Sequence, residues 1–196
     1  QTLKKRFLTK REKIKIDFLK QNKAISCCKA NSQLIDEIII EINKLKAKHF
    51  IESNVIFCIC AVGGYGRELL APNSDLDLLF LFQKNVSEES KKKLVELFLF
   101  PLWDLGLNIG YAVRNVEESI KLSRKDRVIQ TSMLDARNIC GSKILFNELQ
   151  KKFRADIVKY GDKLLRNKLD ERNKRVIEVG YDYFKNEPNL KESEGS

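Results

Sequence analysis

The residues best suited to chemistry lie in one segment that begins with a double glycine and ends with two aspartates. Gly63 and Gly64 follow one apolar run, and Asp75 and Asp77 open a second one. Residues i and i+2 of a β-strand point to the same side, so the two carboxylates are expected to project together. Neighbouring carboxylates repel each other unless they share a cation, and hard oxygen ligands at this spacing suit Mg²⁺. The segment therefore predicts a magnesium site.

The double glycine predicts a place where the main chain approaches phosphate groups closely. Glycine has no side chain to keep a triphosphate away, and successive amide N–H groups can form an anion-binding nest. Arg67 and Ser74 lie in the same segment and can add a charged and a neutral donor. Together these residues indicate metal-assisted transfer of a phosphoryl or nucleotidyl group. The alternative is a plain turn followed by a solvated pair of acids, although the joint pattern is rarer than either part alone.

Other function classes are excluded by motif and composition. The Gly-x-x-x-x-Gly-Lys-Ser/Thr of a P-loop is absent, and no helical pattern follows the glycines as a dinucleotide fingerprint requires. One histidine and five cysteines in 196 residues are too few for a His-based zinc enzyme or a disulfide scaffold. No uncharged apolar run approaches the roughly 18 residues of a membrane span. A cytoplasmic protein without a membrane partner is therefore expected.

The net charge of +10 favours polyanionic partners without identifying one. The basic residues are mostly lysines spread over predicted helix faces, with few aromatic residues between them. A surface that stacks and binds nucleic acid needs both cations and exposed rings in one strip. Nucleic acid is therefore not the expected partner.

Hydrophobic patterning predicts the elements that position this segment. Residues 29–49 place apolar side chains at helical spacing, which predicts an amphipathic helix. The apolar runs at 55–62 and 76–82 have the length of buried strands, and we expect them to pair in one sheet. A short third strand is expected at 107–114.

The remaining elements are predicted to be helical. Ser87 predicts the N-cap of a helix, and Gly106 predicts its end. From Asn115 the sequence reads as helical to near its end, with turns between helices at Gly141 and Gly161. The chain is thus expected to hold a small central sheet between helical segments.

The double-glycine segment resembles the nucleotidyltransferase superfamily that includes DNA polymerase β, in which a double glycine precedes an acid-x-acid pair at this spacing. Within it the likeness is greatest to the bacterial bifunctional uridylyltransferase/uridylyl-removing enzymes, which modify the nitrogen-signalling PII protein. Four stretches carry the resemblance, at 62–79, 102–114, 132–141 and 187–192. The resemblance implies an α+β fold: a polymerase β-like core with a small mixed sheet, flanked by N-terminal helices and a C-terminal helical segment.

The resemblance also implies an activity, which is transfer of UMP from UTP to a tyrosine hydroxyl of a PII-type protein with two Mg²⁺ ions. Asp75 and Asp77 match the family's catalytic, metal-binding pair. The loop that binds the nucleotide phosphates matches Gly63, Gly64, Arg67 and Ser74. Asp135 is the nearest family-matching acid elsewhere and is a tentative third metal ligand. Its alternative role is a surface partner for Arg137 or a helical neighbour.

The family's organisation implies a helical segment at 1–50, a transferase core at 51–140 and a second helical segment at 141–196. Full-length members continue into an HD-type hydrolase domain and two glutamine-sensing ACT domains, so a truncated chain is expected. The predicted third strand carries no acid. The family usually has Arg-x-Glu-Leu after the glycines, whereas here Glu68 directly follows Arg67, one place early. These departures favour an alternative, a weakly active or inactive remnant that only binds nucleotide or a partner. A third interpretation is an RNA-end-adding member of the superfamily. The sequence has no strip of arginine and aromatic residues, which weighs against it.

Overall fold

The structure is a computed structural model that describes residues 3–49 and 55–179. The chain forms two compact units, of which the first spans Gln1–Lys152 and the second begins at Phe153. The elements in chain order are α1 (Leu3–Gln21), α2 (Ala24–His49), β1 (Phe57–Ala61), α3 (Gly63–Gly66), β2 (Leu76–Phe82), α4 (Glu88–Asp104), β3 (Ile109–Arg114), α5 (Val116–Ser123), α6 (Arg127–Leu134), β4 (Arg137–Gly141) and α7 (Lys143–Val179). The expected α+β class is confirmed. The family-like stretch at 187–192 lies outside the described residues.

A four-stranded mixed sheet in the order β3-β2-β1-β4 forms the centre of the first unit. β1 pairs antiparallel with both β2 and β4, whereas β2 pairs in parallel with β3. The predicted pairing of the two apolar runs is therefore confirmed, with Phe57 opposite Phe82 and Ala61 opposite Leu78. Both central strands are buried along nearly their whole length. Burial on both faces explains why these runs are continuously apolar instead of alternating.

The main hydrophobic core lies between one face of the sheet and the helices α2 and α4. Its fully buried members include Ile59 of β1, Phe80 of β2, Ile39 of α2, and Phe98 and Leu102 of α4. Side chains alternate across a strand, so Asp77 belongs to the opposite face of β2. The sheet thus separates the main core from the side on which Asp77 projects.

The helices near the sheet begin and end at residues that the sequence predicts. The Ser87 hydroxyl accepts the Ser90 N–H at 3.1 Å and begins α4. Gly106 follows the last residues of α4 with a φ of +76°, a left-handed conformation that favours glycine. Both predictions are confirmed. Asn115 begins α5 through a capping box with Glu118, in which each residue accepts the other's backbone N–H at 2.9 Å.

Two predictions for the C-terminal third of the chain are wrong. The segment after Asn115 does not consist of helices and turns alone, because β4 adds a strand to the edge of the sheet beside β1. No turn occurs at Gly161, since α7 runs through it. Gly141 ends β4 with a φ of +92°, and a Cβ there would lie 2.4 Å from the Phe57 carbonyl oxygen. The close approach of the two backbones thus requires glycine at this position.

The first two helices pack together through a buried aromatic ring and surface ion pairs. Phe7 of α1 is 2% exposed and belongs to the main core. Arg6 and Lys10 of α1 pair with Glu41 and Glu37 of α2. Exposed pairs of this kind stabilise a protein by only about 0–1 kcal/mol, so the ring is the main anchor. Across residues 3–49 and 55–179, no helix combines the length and the apolarity that crossing a membrane would take.

Candidate active site

Asp77 lies at the centre of the candidate site and is the one exposed residue of β2. Its carbonyl oxygen accepts the Val62 N–H at 3.2 Å, so the glycine turn begins directly beside it. A Cβ built on Gly63 would lie 3.4 Å from Asp77 Oδ2, and one built on Gly110 would lie 2.8 Å from Oδ1. The carboxylate therefore sits between two glycines, one from the turn and one from the neighbouring strand β3.

Asp75 lies close enough to Asp77 to affect its ionisation. Partial burial raises the pKa of the Asp77 carboxyl above its ordinary value, and the negative charge of Asp75 raises that pKa further. Both effects oppose the charged form, and a bound divalent cation would offset both. Because Mg²⁺ prefers carboxylate oxygens, the donor set fits this ion. The structure brings the two acids together beside the turn, and their role as metal ligands stays a prediction.

The raised pKa of Asp77 predicts a pH-dependent loss of stability in the metal-free protein. The pKa of Asp77 in the folded protein exceeds the unfolded value of about 4, so the protonated Asp77 carboxyl favours folding. This contribution to the free energy of unfolding is fully present below about pH 4. It is lost as the pH rises through the folded-state pKa. We expect Asp77→Asn to raise the unfolding temperature at neutral pH and to have less effect at pH values near 4. Thermal unfolding across this pH range without divalent metal measures the difference.

The exposed Asp17 of α1 provides the matched control, because Asp17→Asn makes the same chemical change away from the site. We expect its unfolding temperature to follow that of the wild type across the pH range. A stability gain from Asp77→Asn that is equal at every pH would contradict the prediction. Such a result would mean that the ionisation of Asp77 does not oppose folding.

The glycine turn forms a single turn of helix, although the sequence shows no helical pattern there. The Gly66 N–H donates to the Val62 carbonyl at 3.1 Å, and the Arg67 N–H donates to Gly63 at 3.2 Å. Gly63 itself has a φ of +58°. The N–H groups in the first turn of a helix point out of its end, so those of Gly63 and Gly64 are placed to meet an anion.

Gly66 allows this turn to pack closely against the end of α6. A Cβ on Gly66 would lie 2.2 Å from the carbonyl oxygen of Asp135, a distance that no side chain could occupy. The Asp135 side chain in turn pairs with Arg67, with Nη1 2.6 Å from Oδ2. The Arg67 guanidinium also passes over the turn, since a Cβ on Gly64 would lie 3.9 Å from its Nη2. Arg67 is 52% exposed and remains within reach of a ligand.

Asp135, the tentative third metal ligand, forms an ion pair with an arginine of the turn. Asp135 pairs with Arg67, which is a neighbour in space and not the adjacent Arg137. Within the part of the chain that the structure describes, no three His, Cys, Asp or Glu side chains are grouped to hold a metal ion. The assignment of Asp135 to the metal stays a prediction.

Ser74 lies in the turn that leads into β2, immediately before Asp75. Its hydroxyl donates to the Ala71 carbonyl at 3.0 Å. The preceding Asn73 has a φ of +64°, and its side-chain oxygen accepts a hydrogen bond from Arg11 of α1. The turn is therefore fixed to α1, and the role of Ser74 in phosphate binding stays a prediction.

Four residues in and around the turn make contacts that the sequence did not predict: Gly110, Tyr65, Asp36 and Arg137. Gly110 leaves the space that the Asp77 carboxylate fills, as described above. Tyr65, Asp36 and Arg137 form a partly buried polar cluster behind the turn. Tyr65 and Arg137 both lie in the family-like stretches, so their positions carried a signal. Asp36 lies among the apolar positions of α2 and carried none.

Comparison with known proteins relates this chain to one family. The protein family described as Nucleotidyltransferase domain matches residues 46–178. A bifunctional uridylyltransferase/uridylyl-removing enzyme from Caulobacter vibrioides (strain NA1000 / CB15N) is 43% identical over 141 residues, covering 70% of this chain and 15% of that protein. The enzyme of the same description from Azospirillum brasilense is 35% identical over 191 residues, covering 94% of this chain and 20% of that protein. The chain thus spans a fifth or less of the length of these relatives.

A solved structure aligns with the chain more loosely. It is described as a toxin–antitoxin with AMP-PNP, and it covers 72% of this chain and 97% of its own at 16% identity. Its TM-score is 0.34, too low to support an argument about the fold. The relationship therefore depends on the sequence matches.

Proposed function

We propose that this chain, which belongs to the nucleotidyltransferase domain family, transfers UMP from UTP to a tyrosine hydroxyl of a PII-type signalling protein. The observation that carries the proposal is the Asp75–Asp77 pair beside the glycine turn, with the Asp77 carboxylate between Gly63 and Gly110. The choice of UMP as the transferred group is supported by the description of the two relatives as uridylyltransferases. The PII-type acceptor is what the family resemblance of the sequence implies. The whole activity of those much longer proteins is part of the proposal for this chain.

In the proposed reaction the acceptor oxygen forms a bond to the α-phosphorus of UTP. The bond from that phosphorus to the oxygen bridging to the β-phosphate breaks, pyrophosphate leaves, and the hydroxyl proton passes to water. Asp75 and Asp77 would hold Mg²⁺, which when bound supplies positive charge against the developing negative charge on the phosphate oxygens.

The chain's own residues then position the triphosphate. The N–H groups of Gly63 and Gly64 point at its oxygens from the end of the turn, and their lack of side chains lets the backbone approach closely. Arg67 contributes a planar guanidinium that can bind two phosphate oxygens at once. Because this guanidinium is already paired with Asp135, it is held over the turn before the ligand arrives. Ser74 adds a hydroxyl from the start of β2.

The proposal extends to the organisation of the chain and to its location. We assign the transferase core to residues 51–140, with helical segments at 1–50 and 141–196 on either side. A cytoplasmic location is supported by the five cysteines, none of which is part of a disulfide bond. Reduced thiols are the normal state inside cells.

Incubation of the protein with Mg²⁺, α-labelled UTP and a PII-type protein tests the proposal directly. We expect label on the acceptor and release of pyrophosphate in equal amounts, with neither when EDTA is present. The acceptor with its tyrosine changed to phenylalanine is the matched control, because it keeps the ring and loses only the attacking oxygen. Labelling of that control acceptor, or metal-independent labelling, would contradict the proposal.

A second candidate function is binding of nucleotide without transfer. One observation favours it: β3 presents Gly110 opposite Asp77, so the strand next to the acids contributes no carboxylate. UTP binding that requires Mg²⁺, together with no labelled acceptor, would support this function over transfer.

A further inference from the structure

The middle residue of the glycine turn is fixed in the protein interior. Tyr65 lies between Gly64 and Gly66, and only 1% of it is exposed. Its ring belongs to the main core, while its hydroxyl donates to Asp36 Oδ1 of α2 at 2.5 Å. Burial is the largest cause of a pKa of Tyr65 well above the ordinary tyrosine value. The hydroxyl therefore stays protonated and keeps donating at any working pH.

Arg137 of β4 closes this contact into a three-membered cluster. Its Nη1 donates to Asp36 Oδ2 at 2.6 Å, and its Nη2 donates to Asp36 Oδ1 at 3.1 Å. Its guanidinium carbon lies 5.5 Å from the centre of the Tyr65 ring, and Nη2 also lies 3.5 Å from the Tyr65 carbonyl oxygen. Each of the three residues therefore contacts the other two. Asp36 and Arg137 are only 17% and 26% exposed.

The cluster joins three elements that are distant in the sequence. Asp36 belongs to α2, Tyr65 to the turn α3 and Arg137 to β4, which is the edge strand next to β1. The turn itself is only four residues long, and a helix so short does not hold its own conformation in water. Its orientation must therefore come from contacts outside it, and the Tyr65 side chain provides the deepest of these.

We propose that the cluster of Asp36, Tyr65 and Arg137 is the positioning device of the glycine turn: it holds the turn's N–H groups at the place beside Asp77 where the triphosphate binds. This inference rests on the proposed function, because it assigns a task to residues that do not touch the ligand themselves. A buried ion pair contributes little net stability compared with apolar side chains of the same size, whereas it can specify one geometry. The three residues act through the turn and are positioning residues.

Tyr65→Phe tests the inference with the smallest change, since the ring that fills the core is kept. We expect the Kd and the KM for Mg–UTP to rise about tenfold, in keeping with the loss of a hydrogen bond to a charged group. The kcat is expected to change less, because Asp75 and Asp77 are untouched. Arg137→Lys keeps the charge but not the two-pronged contact, and we expect a rise in KM in the same direction.

Ser119→Ala is the matched structural control. Ser119 is fully buried in α5, and its hydroxyl donates to the Asn115 carbonyl at 2.8 Å. Loss of this hydroxyl removes one buried side-chain hydrogen bond from another part of the first unit. We expect a lower unfolding temperature in this variant with an unchanged Kd for Mg–UTP. If Tyr65→Phe behaves in the same way, the positioning role is wrong.

Amide hydrogen exchange without nucleotide separates this inference from the proposed function. We expect the N–H groups of Gly66 and Arg67, which hydrogen-bond within the turn, to exchange at least about tenfold faster in Tyr65→Phe than in the wild type. Ser119→Ala should leave these rates unchanged. Unchanged exchange in Tyr65→Phe and Arg137→Lys overturns the inference. Faster exchange in a protein whose wild type binds no UTP supports the cluster's hold on the turn and overturns the proposed function alone.

Discussion

Replacing both Asp75 and Asp77 by asparagine is expected to abolish metal-dependent UTP binding and to lower nucleotidyl transfer by roughly 1,000-fold or more. The reason is that an amide is a weaker ligand for Mg²⁺ than a carboxylate, and two negative charges are lost together. The same change removes the repulsion that raises the pKa of Asp77, so the variant should fold at least as well as the wild type. Loss of function with unchanged or higher stability is the diagnostic combination.

Titration of fluorescent UTP in the presence and absence of Mg²⁺ measures the binding, and labelling of the acceptor measures the transfer. A variant with Asp17→Asn and Asp104→Asn is the matched control, because it changes the net charge equally at exposed positions of α1 and α4. We expect this control to behave like the wild type. UTP binding that survives in the Asp75/Asp77 variant with its metal dependence intact would show that the metal site lies elsewhere.

The second large effect is expected from Gly110→Ala, a change of one methyl group. The new Cβ would lie 2.8 Å from Asp77 Oδ1, closer than carbon and oxygen approach without bonding. The carboxylate is the end of a flexible side chain at an exposed position, so it can swing away at little cost to the fold. We expect transfer to fall about 100-fold and the Mg²⁺ concentration needed for half-maximal rate to rise. The unfolding temperature should change little.

Steady-state rates over a range of Mg²⁺ concentrations, with thermal unfolding in parallel, check this prediction. Tyr111→Phe is the control, since Tyr111 is the next residue of β3 and its side chain points to the other face of the sheet. Its rate and metal requirement should match those of the wild type. A Gly110→Ala variant with normal rates would mean that the Asp77 carboxylate does not need its present position for the reaction.

Local patterns were sufficient to predict the central strands and the capped helix. β1 and β2 are mostly apolar runs that are buried along nearly their whole length. The Ser87 hydroxyl begins α4 by accepting the N–H of a residue only three positions later. β4 could not be recognised in this way. It has five residues with only Ile139 and Cys140 apolar, and its conformation depends on pairing with β1, which is about 80 residues earlier in the chain.

The same distinction applies to the candidate site. The glycines and the acids are close in sequence, so their spacing and strand alternation predicted that they would meet. The contact between Gly110 and Asp77 depends on the register of two parallel strands, which the sequence does not reveal. The partners of the cluster behind the turn are 29 and 101 residues apart. Their association follows from the packing of α2, α3 and β4, and no local pattern encodes it.

The close approach of the Gly141 backbone to β1 limits which residues evolution can place at this position. Any larger residue at 141 would collide with the main chain at Phe57 and Cys58, where no rotamer change offers relief. Displacement would carry the edge strand outward, and Arg137 at its other end would be drawn away from Asp36. Gly141 is thus expected to tolerate no substitution, although it has no contact with nucleotide. An inherited substitution there would lower both the stability of the fold and the catalytic activity.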